Sequence, residues 1–231
     1  MSASAEPSDP AAVDLYWLPL GAGATIVRWH GKLYERCAAA LARREPLDLY
    51  HAALVVTDAD QRWVIELAPV GDAAGAARGV VGQGPVGLAA LGRFRIFRYE
   101  LRCWSHGQLP DVEHAVASPQ RLTQDQLLAR CLVAALPRVP AATWGRDEHG
   151  VGEMWNSNSV ISWLLVAAGL PLPDLPPHGR APGWGAGMAV ARSTLASGST
   201  VTATQPKIGR IGGAVEEGHP RGGSPASRSG G

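Results

Sequence analysis

The alternation of apolar and polar residues predicts a β-hairpin in the first third of the chain. Residues 50–57 (YHAALVVT) and 62–68 (RWVIELA) are rich in β-branched and aromatic residues. Asp58, Ala59 and Asp60 lie between the two runs and form a turn signal. We therefore expect two antiparallel strands joined by a short turn.

Apolar residues at helical spacing predict two helices on either side of this hairpin. The first covers residues 32–44 and ends before Pro46. The second begins at Thr123, whose spacing to Gln126 is typical of a capping box, and it ends before Pro137. Both helices present an apolar stripe that requires a sheet or another helix to cover it.

A third helix is predicted over residues 157–168. Asn156 or Ser157 can cap its start, and Gly169 with Pro171 ends it. The residues between its ends are almost all apolar, which favours a buried helix.

The remaining pattern indicates further strands. Residues 15–18 form a short apolar run, and residues 93–103 (RFRIFRYELRC) alternate in the manner of one long strand after a glycine-rich connection over 79–92. In that strand we expect the aromatic side chains to be buried and the arginines to form a solvated edge. The order of elements predicts the α+β class, with an antiparallel sheet packed against helices.

Aromatic residues mark the expected extent of the folded domain. All 8 Trp, 4 Tyr and 2 Phe lie at or before Trp184, and large aromatic side chains dominate core burial. In residues 193–231, 22 of 39 are Gly, Ser, Thr or Pro, which is too polar a composition to offset the entropy of ordering. We expect a flexible N-terminus over 1–12, one domain over 13–192 and a disordered tail over 193–231.

Charge and hydropathy exclude several classes of function. Lys and Arg number 21 against 20 Asp and Glu, so no overall field attracts nucleic acid, and we expect no nucleic-acid partner. No apolar run approaches the roughly 20 residues of a transmembrane helix. The first twenty residues contain no Lys or Arg, so a secretory signal is absent and a cytoplasmic location is expected.

Neither a metal nor a cofactor is expected. Three cysteines without CxxC spacing favour reduced, buried thiols over a zinc site. The acidic residues of the segment 147–153 lie in a Gly-rich loop, which favours solvation over metal binding. Gly82, Gly84 and Gly87 have dinucleotide-binding spacing but lack a strand-to-helix setting.

The hairpin brings two titratable residues to one face. If Thr57 pairs with Arg62, or Val56 with Gln61, alternation places His51 and Glu66 on the same face, opposite or diagonal to each other. A carboxylate at that distance can orient an imidazole. A surface ion pair on a half-solvated sheet is the alternative interpretation.

The polar segment 155–159 (WNSNS) opens the third predicted helix. Free N–H groups and the positive end of the helix dipole at such a place can stabilise an anion or an oxyanion. A nucleophilic hydroxyl would be well placed there. The alternative is that these short polar residues only cap an apolar helix.

Taken together, the segments YHAALVV, WVIELAPV and WNSNSVISWLL resemble the permuted members of the papain-like NlpC superfamily, which include the lecithin:retinol acyltransferase-like proteins. That family has a catalytic His at the start of one strand, a polar orienter on the next strand and an Asn-Cys segment opening a helix. By this resemblance His51 matches the base, Glu66 the orienter and Ser157 the nucleophile. The likeness covers roughly residues 14–168 in the order of elements.

The chain departs from the family at the nucleophile, because Ser157 stands where the family has cysteine. A serine hydroxyl needs a well-aligned base to remove its proton during attack, whereas cysteine reacts as an accessible thiolate. Ser159, which also follows an asparagine, is a second candidate nucleophile. Three interpretations therefore remain: a Ser-His-Glu enzyme, an inactive relative that only binds, and an unrelated fold.

What the resemblance implies is a hydrolase or acyltransferase that acts on an amide, ester or thioester. The substrate would be a small molecule, a peptide or a lipid acyl group. Beside the three catalytic candidates, residues that we expect to contact the substrate are Trp144, Arg146, Trp155, Asn156, Asn158 and Ser159.

Overall fold

The computed structural model describes residues 10–20, 43, 45–58, 61–70, 79–176 and 178–198. Six strands come first in the chain: β1 (Ala12–Pro19), β2 (Asp48–Asp58), β3 (Gln61–Pro69), β4 (Val80–Pro85), β5 (Arg98–Ser105) and β6 (Val116–Thr123). They are followed by α1 (Gln126–Ala135), α2 (Ser157–Ala167), the short β7 (Gly179–Arg180) and α3 (Trp184–Ala196). The predicted α+β class is confirmed.

The strands form one open sheet in the order β4-β5-β3-β2-β1-β6, and all neighbours in this order are antiparallel. Strand β7 pairs in parallel with Asp48 and Leu49 at the start of β2. The three helices pack on one face, where Leu54 and Trp17 of the sheet meet Leu132 of α1 and Leu164 of α2. A smaller apolar cluster on the other face contains Ala53 and Val55.

The predicted hairpin is confirmed, and the structure has the first of the two registers that the sequence left open. Thr57 pairs with Arg62, and the pairing continues inward to Leu54 opposite Ile65, where it ends. Strand β3 itself continues to Pro69, paired with β5. Going away from the turn, the two strands therefore separate beyond the pair of Leu54 and Ile65. This separation determines where α2 can start.

The single long strand predicted over residues 93–103 is wrong in its first half. Strand β5 begins only at Arg98, and residues 89–93 and 95–97 form short 3₁₀ turns. The partner strand β4 ends at Pro85, opposite Arg98. No strand among the described residues therefore lies beside 93–97, and alternation alone cannot make these residues a strand.

The start of α1 also differs from the predicted capping box. Asp125 is the N-cap, and its carboxylate accepts hydrogen bonds from the N–H groups of Leu127 and Leu128. Thr123 is the last residue of β6, so its backbone belongs to the sheet, and its hydroxyl accepts from the Asp125 N–H instead. The helix predicted over 32–44 lies outside the described residues, apart from position 43.

Helix α3 was not anticipated, and it extends past the boundary expected at residue 192. Its sequence contains two glycines, Gly185 and Gly187, which lower its intrinsic helix propensity. The glycines allow close packing instead: a Cβ on Gly187 would collide with the carbonyl oxygen of Ser159 in α2. Residues 1–9 and 199–231, which contain most of the two expected flexible ends, lie outside the described residues.

None of the helices in the described ranges has the length and apolar character that crossing a bilayer requires.

Replacing Trp163 in α2 with alanine should lower the free energy of unfolding by about 3–5 kcal/mol, because a large cavity would form in the core. The Trp163 side chain is buried among the helices and the sheet. Urea denaturation measures this loss, with Leu127→Ala as the matched control because Leu127 is 69% exposed on α1. Equal effects of the two substitutions would contradict the assigned helix face.

Candidate functional site

The start of α2 is closed by a reciprocal cap. The Asn156 side chain accepts hydrogen bonds from the N–H groups of Asn158 (2.9 Å) and Ser159 (3.3 Å). In return, the Ser159 hydroxyl accepts from the Asn156 N–H at 3.1 Å. The interpretation of Asn156 as a helix cap is confirmed, and its amide is engaged within the fold.

Asn158 joins α2 to the edge of β2. Its Oδ1 accepts from the Ala52 N–H at 2.8 Å, and its Nδ2 donates to the Tyr50 carbonyl at 3.0 Å and to the Pro182 carbonyl at 2.9 Å. These two groups on β2 lie beyond the point where β3 stops pairing. The side-chain amide of Asn158 therefore takes the place of a peptide group of β3.

The same side of α2 holds the chain that leads into α3. The Asn156 amide donates to the Pro182 carbonyl at 2.8 Å, the Ser159 hydroxyl to the Gly183 carbonyl at 2.8 Å, and the Ser162 hydroxyl to the Trp184 carbonyl at 2.7 Å. Ser159 is completely buried. Its hydroxyl thus serves the contact between the two helices.

Ser157 is the exception in this polar segment. Its side chain is only 5% exposed, and neither its hydroxyl nor its N–H has a hydrogen-bond partner among the described residues. The other N–H groups of the first turn are satisfied by Asn156, since Val160 donates to the Asn156 carbonyl. As far as the described residues go, Ser157 consequently offers an unengaged hydroxyl and an unengaged amide at the positive end of the helix.

His51 lies on β2 between the two residues whose main chains bind Asn158. Its position in the alternation places it on the sheet face of Ala53 and Val55, opposite the face that packs on the helices. Burial lowers its pKa from 6.5 to about 4, so the imidazole is neutral at pH 7. Within the described part of the chain, the His51 imidazole makes no hydrogen bond, and so none to Ser157 or to Glu66.

Glu66 lies on the His51 face, as the register predicts, but its carboxylate has another partner. In the sheet it is directly opposite Arg102 of β5, and the Arg102 Nη1 is 3.7 Å from its Oε1. Arg102 also binds Glu100, with Nη2 at 3.1 Å from Oε2. The separation of β2 from β3 leaves Glu66 with its β5 neighbour and not with His51.

Arg102 itself corrects the expectation of a solvated arginine edge. It is 1% exposed, because β5 lies between β3 and β4 in the interior of the sheet. Buried arginine is stable only when it is paired, which explains the two flanking carboxylates.

The loop before α2 positions the three other predicted site residues. Trp144 forms isolated bridges with Val86 and Trp155, and the Trp155 N–H donates to the Arg146 carbonyl at 2.8 Å. Trp155 is buried in the core, whereas Trp144 is half-buried and stacks on Tyr99 with 5.9 Å between ring centroids. Arg146 is exposed. Through these bridges Trp144 connects Val86, directly after β4, to Trp155, directly before Asn156.

The acidic residues of this loop bind the main chain around them. Asp147 accepts from the N–H groups of Val151 and Gly152, Glu148 from that of Thr143, and Glu153 from that of Gly185. The main-chain hydrogen bonds lower the pKa of Asp147. The pKa of Glu148 is lowered first by the hydrogen bond from the Thr143 hydroxyl and then by that from the Thr143 N–H. Within the ranges that the structure describes, no group of three His, Cys, Asp or Glu side chains could hold a metal ion.

Comparisons of the chain with models of protein families, with curated proteins and with solved structures find no match. The sequence resemblance to the permuted papain-like superfamily therefore stays a prediction.

Replacing Asn158 with leucine should lower the free energy of unfolding by about 3–5 kcal/mol, because the Ala52 N–H and the Tyr50 carbonyl on β2 would lose their partner. Each buried polar group that is left unsatisfied costs about 1–3 kcal/mol. Urea denaturation measures the loss, and Gln83→Leu on the exposed face of β4 is the control, expected to change it by less than about 0.5 kcal/mol. A small effect of Asn158→Leu would show that the bridge to β2 is dispensable.

Stability should depend on pH through His51. Its folded pKa of about 4 lies below the 6.5 of the free side chain, so between these values the unfolded chain binds a proton that the folded chain does not. The free energy of unfolding should fall by about 2–3 kcal/mol as the pH is lowered from 7 to 4.

Urea titrations at pH 4.5, 5.5, 6.5 and 7.5 measure this slope. His51→Gln should flatten it, whereas His114→Gln, which removes an exposed imidazole, should leave it unchanged. An unaltered slope in His51→Gln would mean that the imidazole is solvated.

Proposed function

We propose that the protein is a hydrolase or acyltransferase of permuted papain-like architecture, which acts on an amide, ester or thioester through Ser157 and His51. The observation that carries the proposal is that the hydroxyl and the N–H of Ser157, at the start of α2, bind no other group in the part of the chain that the structure describes. Asn158, the next residue, ties that helical turn to the strand segment on both sides of His51. The nucleophile and the base are thus held on adjoining segments.

In the proposed reaction the Ser157 hydroxyl attacks the acyl carbonyl while the His51 imidazole accepts the proton. The Ser157 N–H and the positive end of α2 stabilise the oxyanion of the tetrahedral intermediate. The imidazolium then gives its proton to the leaving group. Water, or a second acceptor in acyl transfer, releases the acyl group from Ser157, with His51 again acting as the base.

The encounter of Ser157 with His51 would take place at the unpaired edge of β2. Pairing between β2 and β3 ends at Leu54, and none of the described strands lies at this edge between the start of α2 and His51. Catalytic hydrogen bonds are often long before substrate binds and shorten in the complex. We assign Glu66 to its pair with Arg102, so that the proposed site is a Ser-His pair without a carboxylate orienter.

A binding domain without catalysis is the second candidate function. It is favoured by the pKa of about 4 for His51, which makes the imidazole a weak base, and by the absence of an orienting carboxylate. The position of His51 on the sheet face opposite the helices also favours the binding domain. On this alternative, Ser157 contacts a ligand but does not attack it.

Replacing Ser157 with cysteine tests whether the site activates a nucleophile. Beside His51 and the helix N-terminus, the new thiol should have a pKa below the free value of about 8.5 and should react quickly with iodoacetamide at pH 7. Adding His51→Ala should slow alkylation about tenfold. Glu66→Gln should leave the rate nearly unchanged, because that carboxylate pairs with Arg102.

The native thiols set the background of this experiment. Cys131 is exposed and is removed as Cys131→Ser, whereas burial raises the pKa of Cys103 to about 11 and makes it a poor nucleophile. The variant that keeps Ser157 and carries only Cys131→Ser gives the background rate of alkylation. An introduced thiol that titrates normally and ignores His51 would exclude the papain-like site.

A fluorophosphonate probe on the unaltered chain separates the two candidate functions. Labelling that is lost in Ser157→Ala supports the enzyme. A reactive cysteine variant whose parent serine is never labelled supports the binding domain.

A further inference from the structure

The connection between β4 and β5 exposes apolar side chains to solvent. We call residues 87–97 the 87–97 loop. Four of its large apolar side chains are exposed: Leu88 (49%), Phe94 (47%), Ile96 (76%) and Phe97 (37%). Exposed apolar groups concentrated in one short segment are uncommon on a protein surface and mark interaction sites.

The backbone of this loop is ordered by its own hydrogen bonds. Leu91 donates to Leu88, Phe94 to Leu91 and Phe97 to Phe94, at 2.9–3.0 Å, and the Val86 N–H closes the base on the Phe97 carbonyl at 2.8 Å. The Arg98 side chain donates to the Gly92 carbonyl across the loop. The apolar side chains are therefore presented on a defined scaffold.

Positive charge is interleaved with these apolar side chains. Arg93 and Arg95 are exposed, and the Arg93 guanidinium lies 4.7 Å from the centroid of the Phe94 ring. No acidic residue occurs between Asp72 and Glu100. The loop is thus purely cationic in a chain whose formal net charge is only +1.

We propose that the 87–97 loop docks on the surface of an anionic lipid bilayer. Its apolar side chains enter the boundary between headgroups and acyl chains, while Arg93 and Arg95 contact lipid phosphates. Charge complementarity selects the anionic surface. Ile96 is the most exposed of the apolar side chains, and an aliphatic side chain gains free energy when it enters lipid.

The loop is connected to the segment that leads into α2. The Gly87 N–H donates to the Trp144 carbonyl at 2.9 Å, and Trp144 in turn bridges to Trp155. A bilayer bound to the 87–97 loop would therefore lie on the side of the molecule where Trp144 contacts the loop. From Trp144 the chain continues to the start of α2. The proposal does not depend on any chemistry at Ser157.

Sedimentation with vesicles tests the proposal on the full chain. Binding is measured to vesicles of phosphatidylcholine alone and to vesicles that contain about 30% phosphatidylserine. We expect binding to the anionic vesicles only, weakened when NaCl is raised from about 0.05 to 0.5 M. Ile96→Ser and Arg95→Gln should each weaken binding about fivefold or more, since one basic residue near a membrane contributes about 1 kcal/mol.

Matched controls separate the loop from general exposure. Leu127→Ser removes an exposed leucine on α1, and Arg138→Gln removes an exposed arginine in the turn that follows it. Both should bind anionic vesicles like the unaltered chain. All four substitutions are at exposed positions, and equal melting temperatures will show that each variant is folded.

Three outcomes would overturn the proposal. The first is absence of binding to anionic vesicles, and the second is binding that Ile96→Ser leaves unchanged. The third is that vesicles are not bound while one of two other interactions depends on the loop. These are self-association on gel filtration that Ile96→Ser abolishes, and binding of a single-stranded oligonucleotide that Arg95→Gln abolishes. In that case the loop would be an interface for a second copy or for nucleic acid.

Discussion

Two main-chain groups on β2, the Ala52 N–H and the Tyr50 carbonyl, need hydrogen-bond partners at a place where β3 no longer supplies them. An unsatisfied buried peptide group costs as much as several good packing contacts gain. Asn158 solves the problem with a side-chain amide that has the same donor and acceptor as a peptide. Because Asn158 is the second residue of α2, this requirement also fixes where the helix begins.

The polar start of a helix that is otherwise apolar follows from the same requirement. Once Asn158 is bound to β2, the first turn of α2 lies inside the protein, and its own N–H groups must be satisfied there by Asn156. The serines on the same side then bind the carbonyls before and at the start of α3. Among the described residues, the Ser157 hydroxyl makes no such hydrogen bond, which is why Ser157 is the candidate nucleophile.

The ion pairs of the sheet explain why the expected Ser-His-Glu triad is incomplete. The register correctly put Glu66 on the face of His51, but β5 is paired with β3 along this stretch and presents Arg102 directly opposite Glu66. A buried guanidinium binds the carboxylate more strongly than a neutral imidazole could. Burial lowers the pKa of His51 and keeps the imidazole neutral, and the proposed site has to work as a pair because Glu66 is bound to Arg102.

Local patterns in the sequence determined the hairpin, the shared face of His51 and Glu66, the polar cap of α2 and the α+β class, because each depends on short stretches of the chain. Tertiary structure alone decided the rest. It ended the expected long strand at Arg98 where β4 stops, allowed the glycine-rich α3 to pack closely on α2, and gave Glu66 to Arg102. It also made Asn158 part of the sheet edge, since a contact across 106 positions leaves no periodic signal in the chain.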